Sequence, residues 1–386
     1  VRLLLDVSAV PARPVGAGVY TVELARGLDG RDDVDLVLAC RNDDRRRWRE
    51  IAPRARTLDA APARRAARVV WEQTRAHRLA DSIRAQVWHG PHYTMPRRLT
   101  VPAVVTVHDL TFVEHPEWHE RTKVAFFRRM LRNSARRAAV LVAISRYTAR
   151  GIEEHLHPAG EVIVVPHGVD HGRFRPAPAG DPADLDLLHA VGVRPPFLAF
   201  AGTVEPRKDL PTLVAAFARV AATRPELRLV LVGGDGWGSS DLHGAIGRSG
   251  VATRIIRPGY VPDAALPALF RQSEAVVYPS LVEGFGLPAL EALACGAPLV
   301  STTGSAIEEI VGDAAVLVPP HDEPALADAM RRVLDDDTRN ARLRAAGVAR
   351  AAPYTWAASA EGHVAAYRRA QELHTHLHPA NDTQDT

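Results

Sequence analysis

The chain has 386 residues, 46% of them hydrophobic and 24% charged, so it is neither a disordered segment nor a fibre. Its length allows two or three domains, each with its own core. The net charge of +3 hides an asymmetry, +10 over residues 1–180 and −7 over residues 181–386, which points to different partners for the two halves.

In chain order, β-branched runs predict strands at residues 2–7, 34–39, 103–107, 140–144 and 162–165. Residues 171–186 are rich in Pro, Ala and Asp and read as a linker. The alternation restarts at 197–201, 228–232, 275–278, 298–301 and 315–318, with helical periodicity at 210–222, 288–294, 323–334 and 355–371. Strands alternating with helices predict parallel sheets, here an α/β chain of two doubly wound, Rossmann-like domains. The expected division is 1–176 together with a closing helix near 354–373, then 177–353, with a polar tail at 374–386 expected to be disordered. Two cysteines, Cys40 and Cys295, exclude a disulfide scaffold and fit a reducing cytoplasm. With no apolar run of membrane-spanning length and no charged-then-apolar leader, a cytoplasmic location is expected.

In doubly wound sheets ligands sit beyond the carboxyl ends of the strands. After strand 197–201 come Gly202, Thr203, Val204, Glu205, Pro206, Arg207, Lys208, Asp209, Leu210 and Pro211. Asp209 suits an N-cap and Pro211 a first helical turn, which puts Arg207 and Lys208 beside a helix N-terminus, an anion site suited to a diphosphate. Only two of the 48 basic residues are lysines, Lys123 and Lys208, so a lysine here stands out. After strand 275–278, Glu283 precedes Gly284, Phe285, Gly286, Leu287 and Pro288, and Glu291 lies about one turn into the next helix. Glycines allow close backbone approach, and a carboxylate can accept two hydrogen bonds from a ribose diol. Helix-start preference alone accounts for Glu291 but not for the Gly-Phe-Gly beside Glu283.

Glu283 to Glu291 resembles the E-x7-E element of retaining, nucleotide-sugar-dependent glycosyltransferases of family 4, which have the GT-B fold. Gly16-Ala17-Gly18-Val19-Tyr20 resembles the family's N-terminal glycine loop, His108-Asp109 its post-strand histidine, and Val164-Val165-Pro166-His167-Gly168-Val169-Asp170 its segment before the linker. Gly202 to Lys208 resembles its diphosphate loop, and Tyr354-Thr355-Trp356 the start of its closing helix. The resemblance covers most of the chain. It implies two Rossmann-like domains facing across a cleft, with a nucleotide-sugar donor bound by the C-terminal one.

Carried over residue by residue, Arg207 and Lys208 would hold the departing diphosphate, and Glu291 the ribose. Glu283, with NH groups near Gly284, Phe285, Gly286 and Leu287, would hold the transferred sugar. Gly202 and Thr203 would line the phosphates, and the backbone of Gly259, Tyr260 and Val261 would meet the base. Gly16 and Gly18 would close from the other side. His108 would touch the sugar or stabilise charge, while Asp109 suits instead a cap of the next helix. Adjacent Arg207-Lys208, with His89-Gly90-Pro91-His92-Tyr93, resembles bacterial GDP-mannose-dependent mannosyltransferases of surface-polysaccharide assembly. The acceptor would be a glycan, a lipid-linked sugar or a small glycoside.

The D-x-D candidates Asp33/Asp35 and Asp184/Asp186 do not follow a strand in a crevice and read as structural. Arg207, Lys208 and helix dipoles can serve as fixed electrostatic stabilisers, so no metal and no other cofactor is expected. In the basic half, residues 121–137 predict a helix with arginines around an apolar face. Either that face packs on the core, or the helix lies on an anionic membrane, peripheral to its inner face. No nucleic-acid recognition motif is present. His374, His376 and His378 alternate in the tail without an assigned role. The rivals are a nucleotide-sugar epimerase or phosphorylase on the same fold, and a non-catalytic nucleotide- or nucleic-acid-binding module.

Overall fold

A computed structural model of the chain describes residues 1–236 and 238–377. They form two parallel sheets. The first holds β1 (Arg2–Asp6), β2 (Asp35–Arg41), β3 (Arg56–Ala61), β4 (Val87–Gly90), β5 (Ala103–Val107), β6 (Val140–Ala143) and β7 (Glu161–Val164), in the order β3-β2-β1-β4-β5-β6-β7. The second holds β8 (Phe197–Ala201), β9 (Arg228–Val232), β10 (Ile255–Gly259), β11 (Ala275–Tyr278), β12 (Leu299–Thr302) and β13 (Val316–Val318), in the order β10-β9-β8-β11-β12-β13. The strand order reverses between β1 and β4 in one sheet and between β8 and β11 in the other. These are the points where doubly wound sheets bind ligands.

The chain divides into two compact units, one of residues 1–116, 120–168 and the last helix, Trp356–Leu377, the other of 169–355 with 117–119. In the first sheet, alternate residues feed two cores. Leu3 and Leu5 pack with Tyr20, Val104, Val142, Ala360 and Val364 on one face, and Leu4 with Val37, Trp71, Trp88 and Val105 on the other. Burial on both faces is why the central strands read as continuous apolar runs.

Three strands escaped the sequence pattern. β3 and β10 are edge strands, where alternation is loose, and β10 contains Pro258 and Gly259, which an edge tolerates. β4 is central but only four residues long, and it includes His89 and Gly90. The expected linker also ends early, because residues 182–190 form the helix Pro182–Ala190, capped by the Asp181 side chain on Ala183 N at 2.9 Å. The last helix continues through His374 and His376 to Leu377, so these four residues are not a disordered tail. His378 and the rest of the tail lie outside the described residues.

Candidate functional site

In the second unit, the loops after β8 and β11 meet at the strand-order reversal. Residues Pro206–Lys208 form a single 3-10 turn, and Asp209 follows with φ of 46°. Asp209 occupies the cap position of the helix Leu210–Ala221 but does not cap its backbone. Its carboxylate instead accepts from the Thr212 hydroxyl at 2.8 Å. Arg207 and Lys208 converge on one carboxylate: Arg207 Nη1 lies 2.7 Å from Glu283 Oε2, and Lys208 Nζ donates to Glu283 Oε1 and to the Tyr278 hydroxyl. Arg207 Nε also binds Glu205, at 2.7 Å. Lys208 is only 4% exposed and Glu283 6%.

Two cations therefore face two carboxylates, which lets ionised groups persist at a buried position. Burial pushes the Glu283 carboxyl up, but Arg207 and Lys208 outweigh it and hold its pKa at about 2. Burial and the neighbouring Arg207 bring Lys208 down to about 8. An ammonium has three donors, and Lys208 spends two of them on Glu283 and Tyr278. The sequence did not single out Tyr278; its signal was the polar end of an otherwise apolar strand.

Gly286 has φ of 94°, and a Cβ there would come within 2.1 Å of Ile307 Cδ1, so only glycine fits ahead of the helix Leu287–Ala294. Phe285 is buried against the Tyr354 ring, so it supports the loop from below. Glu291 is partly buried, and its carboxyl makes no hydrogen bond or ion pair among the described residues. Burial raises its carboxyl to about 8, with Arg173 opposing. An unpartnered carboxyl suits a ligand that brings its own donors. Gly202 N bonds Val232 O at 2.9 Å, and Val204 N bonds Gly234 O at 3.0 Å, which ties the Gly202–Thr203 stretch to the loop after β9. Tyr260, just past β10, is 60% exposed with its ring against Gly234, and Val261 follows it.

In the first unit, Gly16 has φ of 49°, and nothing lies within 4 Å of where a side chain would start. It precedes the helix Ala17–Leu28, which includes Gly18. Three arginines fix the loop before it: Arg68 donates to Ser8 O (2.7 Å), Arg41 to Val10 O (2.6 Å) and Arg47 to Pro11 O (2.6 Å). Part of the basic charge of this half therefore serves its own backbone. His108 follows β5, and its Nε2 lies 2.7 Å from Pro91 O, so Nε2 carries the proton and donates. Burial lowers its pKa, which leaves the ring neutral. Asp109 accepts from Thr111 N at 3.1 Å and from the Thr111 hydroxyl at 2.8 Å, one residue ahead of Leu110 at the cap position of the short helix Thr111–Glu114.

Sequence reading missed a carboxyl pair at the carboxyl end of this sheet. Asp6 ends β1, and Glu72 approaches from the helix Arg65–Thr74 with Oε1 unpartnered. Burial, then Asp6, raises Glu72 to about 8. An acid closing the run Leu3-Leu4-Leu5 was the available signal for Asp6. Three of the four D-x-D carboxylates are engaged elsewhere, and Asp186 is exposed: Asp33 binds Arg31 and Arg368, Asp35 binds Arg2, and Asp184 binds Arg271 and Gln272.

The helix Arg121–Arg137 buries Val124, Phe127, Met130 and Leu131 in the core. Its apolar face is not free to enter a membrane, and the exposed side carries Arg121, Arg129, Arg132, Arg136 and Arg137 together with Thr122 and Ala125. No described helix is long and apolar enough to cross a membrane.

Residues 14–173 match the family described as Glycosyltransferase Family 4, and residues 189–350 match the one described as Glycosyl transferases group 1. O-antigen chain mannosyltransferase B of Escherichia coli is 31% identical over 273 residues, covering 70% of this chain and 71% of that protein. D-inositol 3-phosphate glycosyltransferase of Frankia alni is 29% identical over 391 residues, covering 92% and 94%. Among solved structures, sucrose-phosphate synthase from Thermosynechococcus elongatus aligns with a TM-score of 0.76 at 22% identity, over 95% of this chain and 98% of that one. HepE of Anabaena, in complex with UDP and glucose, aligns with a TM-score of 0.73 at 18% identity, over 95% and 99%. The fold is the GT-B fold, and with both halves matched the chain belongs to glycosyltransferase family 4, enzymes that transfer a sugar from a nucleotide sugar.

Proposed function

We propose that the chain is a retaining, metal-independent mannosyltransferase that takes mannose from GDP-mannose and gives it to a glycan, lipid-linked or small glycoside acceptor. The observation that carries this reading is the buried cluster of Arg207, Lys208 and Glu283 at the strand-order reversal of the second sheet. Arg207 and Lys208 neutralise the charge that develops on the departing diphosphate, from positions fixed before the reaction begins. Glu283 orients the sugar, Glu291 accepts from the ribose diol, and the Tyr260 ring faces the base. His108 meets a hydroxyl of the transferred sugar. The acceptor oxygen attacks the anomeric carbon on the face the diphosphate leaves. The bond from that carbon to the phosphate oxygen breaks, the new glycosidic bond forms, and the acceptor proton passes to the departing phosphate. The similarity to an O-antigen mannosyltransferase supports mannose. The exposed arginine stripe supports a charge-only contact with an anionic membrane, from the cytoplasmic side.

Thermal stabilisation by GDP, UDP and ADP, with EDTA present, tests the donor site. A ligand at about 100 times its dissociation constant adds roughly 2.7 kcal/mol, which is easily resolved. A GDP-selective shift that survives EDTA is expected, followed by mannose transfer from GDP-mannose. A UDP-selective shift would discard mannose and keep the glycosyltransferase, in line with the UDP complexes of HepE. A shift abolished by EDTA would overturn metal independence. No shift with any nucleotide would overturn the donor site.

A further inference from the structure

The first unit buries a continuous chain of hydrogen bonds that the proposed reaction does not use directly. The Tyr367 hydroxyl meets His89 Nδ1 at 2.8 Å, and His89 Nε2 meets the Thr106 hydroxyl at 2.9 Å. Thr106 meets the Tyr20 hydroxyl at 2.8 Å, and Tyr20 meets His363 Nε2 at 2.7 Å. The chain ends where His363 Nδ1 meets Ser359 O, at 2.7 Å. Tyr20, His89, Thr106, His363 and Tyr367 are all fully buried.

The sense of every bond follows from its last acceptor. A carbonyl only accepts, so His363 Nδ1 donates to Ser359. Burial holds the His363 ring neutral, with a pKa of about 4, so its Nε2 is a bare acceptor and Tyr20 donates to it. The Tyr20 oxygen then accepts from Thr106, and Thr106 accepts from His89 Nε2. Burial keeps His89 neutral as well, so its Nδ1 accepts from Tyr367. Each shared proton is assigned, with no net charge and no alternative direction.

In its middle, at Tyr20, this chain passes beside His108. The Tyr20 ring meets the His108 ring edge-on at 5.0 Å, and Thr106 lies two residues before His108 in the chain. The rings of His92, Tyr93 and His167 stand 5.6 to 5.7 Å from His108. With Nε2 donating to Pro91, Nδ1 is the one polar ring atom of His108 left for a substrate, and it can only accept.

We propose that Tyr20, Thr106, His89 and His363 are positioning residues: the last helix, through this one-way chain, sets the Tyr20 ring, which seats the His108 ring so that its Nδ1, left bare by the bond to Pro91, accepts from a hydroxyl of the transferred sugar. This deepens the proposed function and rests on its placement of His108 at the sugar. An acceptor-only, neutral His108 does not stabilise phosphate charge, which separates its role from that of Arg207 and Lys208. Helix contact alone would need only apolar packing, whereas a chain with a defined direction also dictates ring orientation and tautomer.

Ring-nitrogen NMR on the intact, ligand-free protein tests the chain without any substrate. His89 and His108 are expected as Nε2–H tautomers and His363 as Nδ1–H, all neutral from about pH 7 to 8. A His363 with its proton on Nε2, or a His108 that charges in that range, overturns the inference. Kinetics supply the second arm, with GDP-mannose hydrolysis as the readout and GDP affinity as control. Thr106→Val and Tyr20→Phe are expected to lower kcat about tenfold or more with GDP affinity unchanged, and Thr106→Ser to restore kcat. Folded Val and Phe variants with wild-type kcat would overturn it. Failure of the wild type to bind GDP would count against the proposed donor instead, and leave the NMR arm standing.

Discussion

Both units bury a polar cluster near the carboxyl ends of a parallel sheet, and the two clusters are built on opposite principles. The first is neutral: hydroxyls and imidazoles in a chain with every proton assigned. The second is ionic: Arg207 and Lys208 gathered on Glu283, with Glu205 and Tyr278 alongside. A neutral chain fixes geometry and is insensitive to pH and salt. An ionic cluster holds charge ready for a ligand, but it depends on every partner remaining in place, because removing one leaves an uncompensated buried ion.

The largest expected effect tests that dependence. Glu283→Ala leaves the buried Lys208 without its carboxylate, while Arg207 keeps Glu205, and should cost about 3–5 kcal/mol in urea unfolding, whereas Thr106→Val breaks only neutral bonds and should cost about 1–3 kcal/mol. Equal costs would erase the distinction. Next, Lys208→Met should lower turnover of GDP-mannose by about 10²–10³ through loss of transition-state charge stabilisation. A loss confined to KM would reduce Lys208 to ground-state binding.

Glu283 and Glu291 sharpen the comparison within one unit, because their pH dependences have opposite signs. Glu283 titrates below the ordinary 4.5, at about 2, so its stabilisation is present above pH 4.5 and lost as pH falls toward 2. Glu291 titrates above it, at about 8, so its contribution is present below pH 4.5 and lost as pH rises to about 8. Glu291→Gln should therefore raise the melting temperature relative to wild type increasingly from pH 4.5 to 8, while weakening nucleotide binding. A variant that is destabilised at about pH 8 would show that Glu291 has a structural partner.

A smaller effect is expected at Tyr260. Tyr260→Ala should raise the donor KM about tenfold if the ring stacks on the base, with kcat little changed. The smallest concerns the exposed arginines. Arg129→Glu with Arg132→Glu should weaken sedimentation with phosphatidylserine vesicles by about 1 kcal/mol per charge, reversed by salt, with donor kinetics unchanged.

Much of the fold was legible because doubly wound sheets write apolar runs into sequence: the spans 103–107, 197–201, 228–232 and 275–278 match β5, β8, β9 and β11 to the residue. β3, β4 and β10 were illegible because of their composition: β3 carries Arg56 and Asp59, β4 ends in His89 and Gly90, and β10 contains Arg257, Pro258 and Gly259, so none reads as a β-branched run. Arg207, Lys208 and Glu283 were legible as chemistry from their loops after strands. Their mutual pairing was not, since 75 residues separate Lys208 from Glu283.

The sequence by itself determined the alternation of strands and helices, the two-unit division and the loops carrying glycine and charge, because these depend on short-range periodicity and local backbone freedom. Only the tertiary structure decided which groups share a buried environment. It joined Tyr20 to His363 across 343 positions, set Glu283 and Glu291 at opposite ends of the carboxyl scale, and turned the apolar face of Arg121–Arg137 inward. Burial and partner geometry fix a group's charge and its hydrogen-bond direction, and both arise from contacts between residues far apart in the chain.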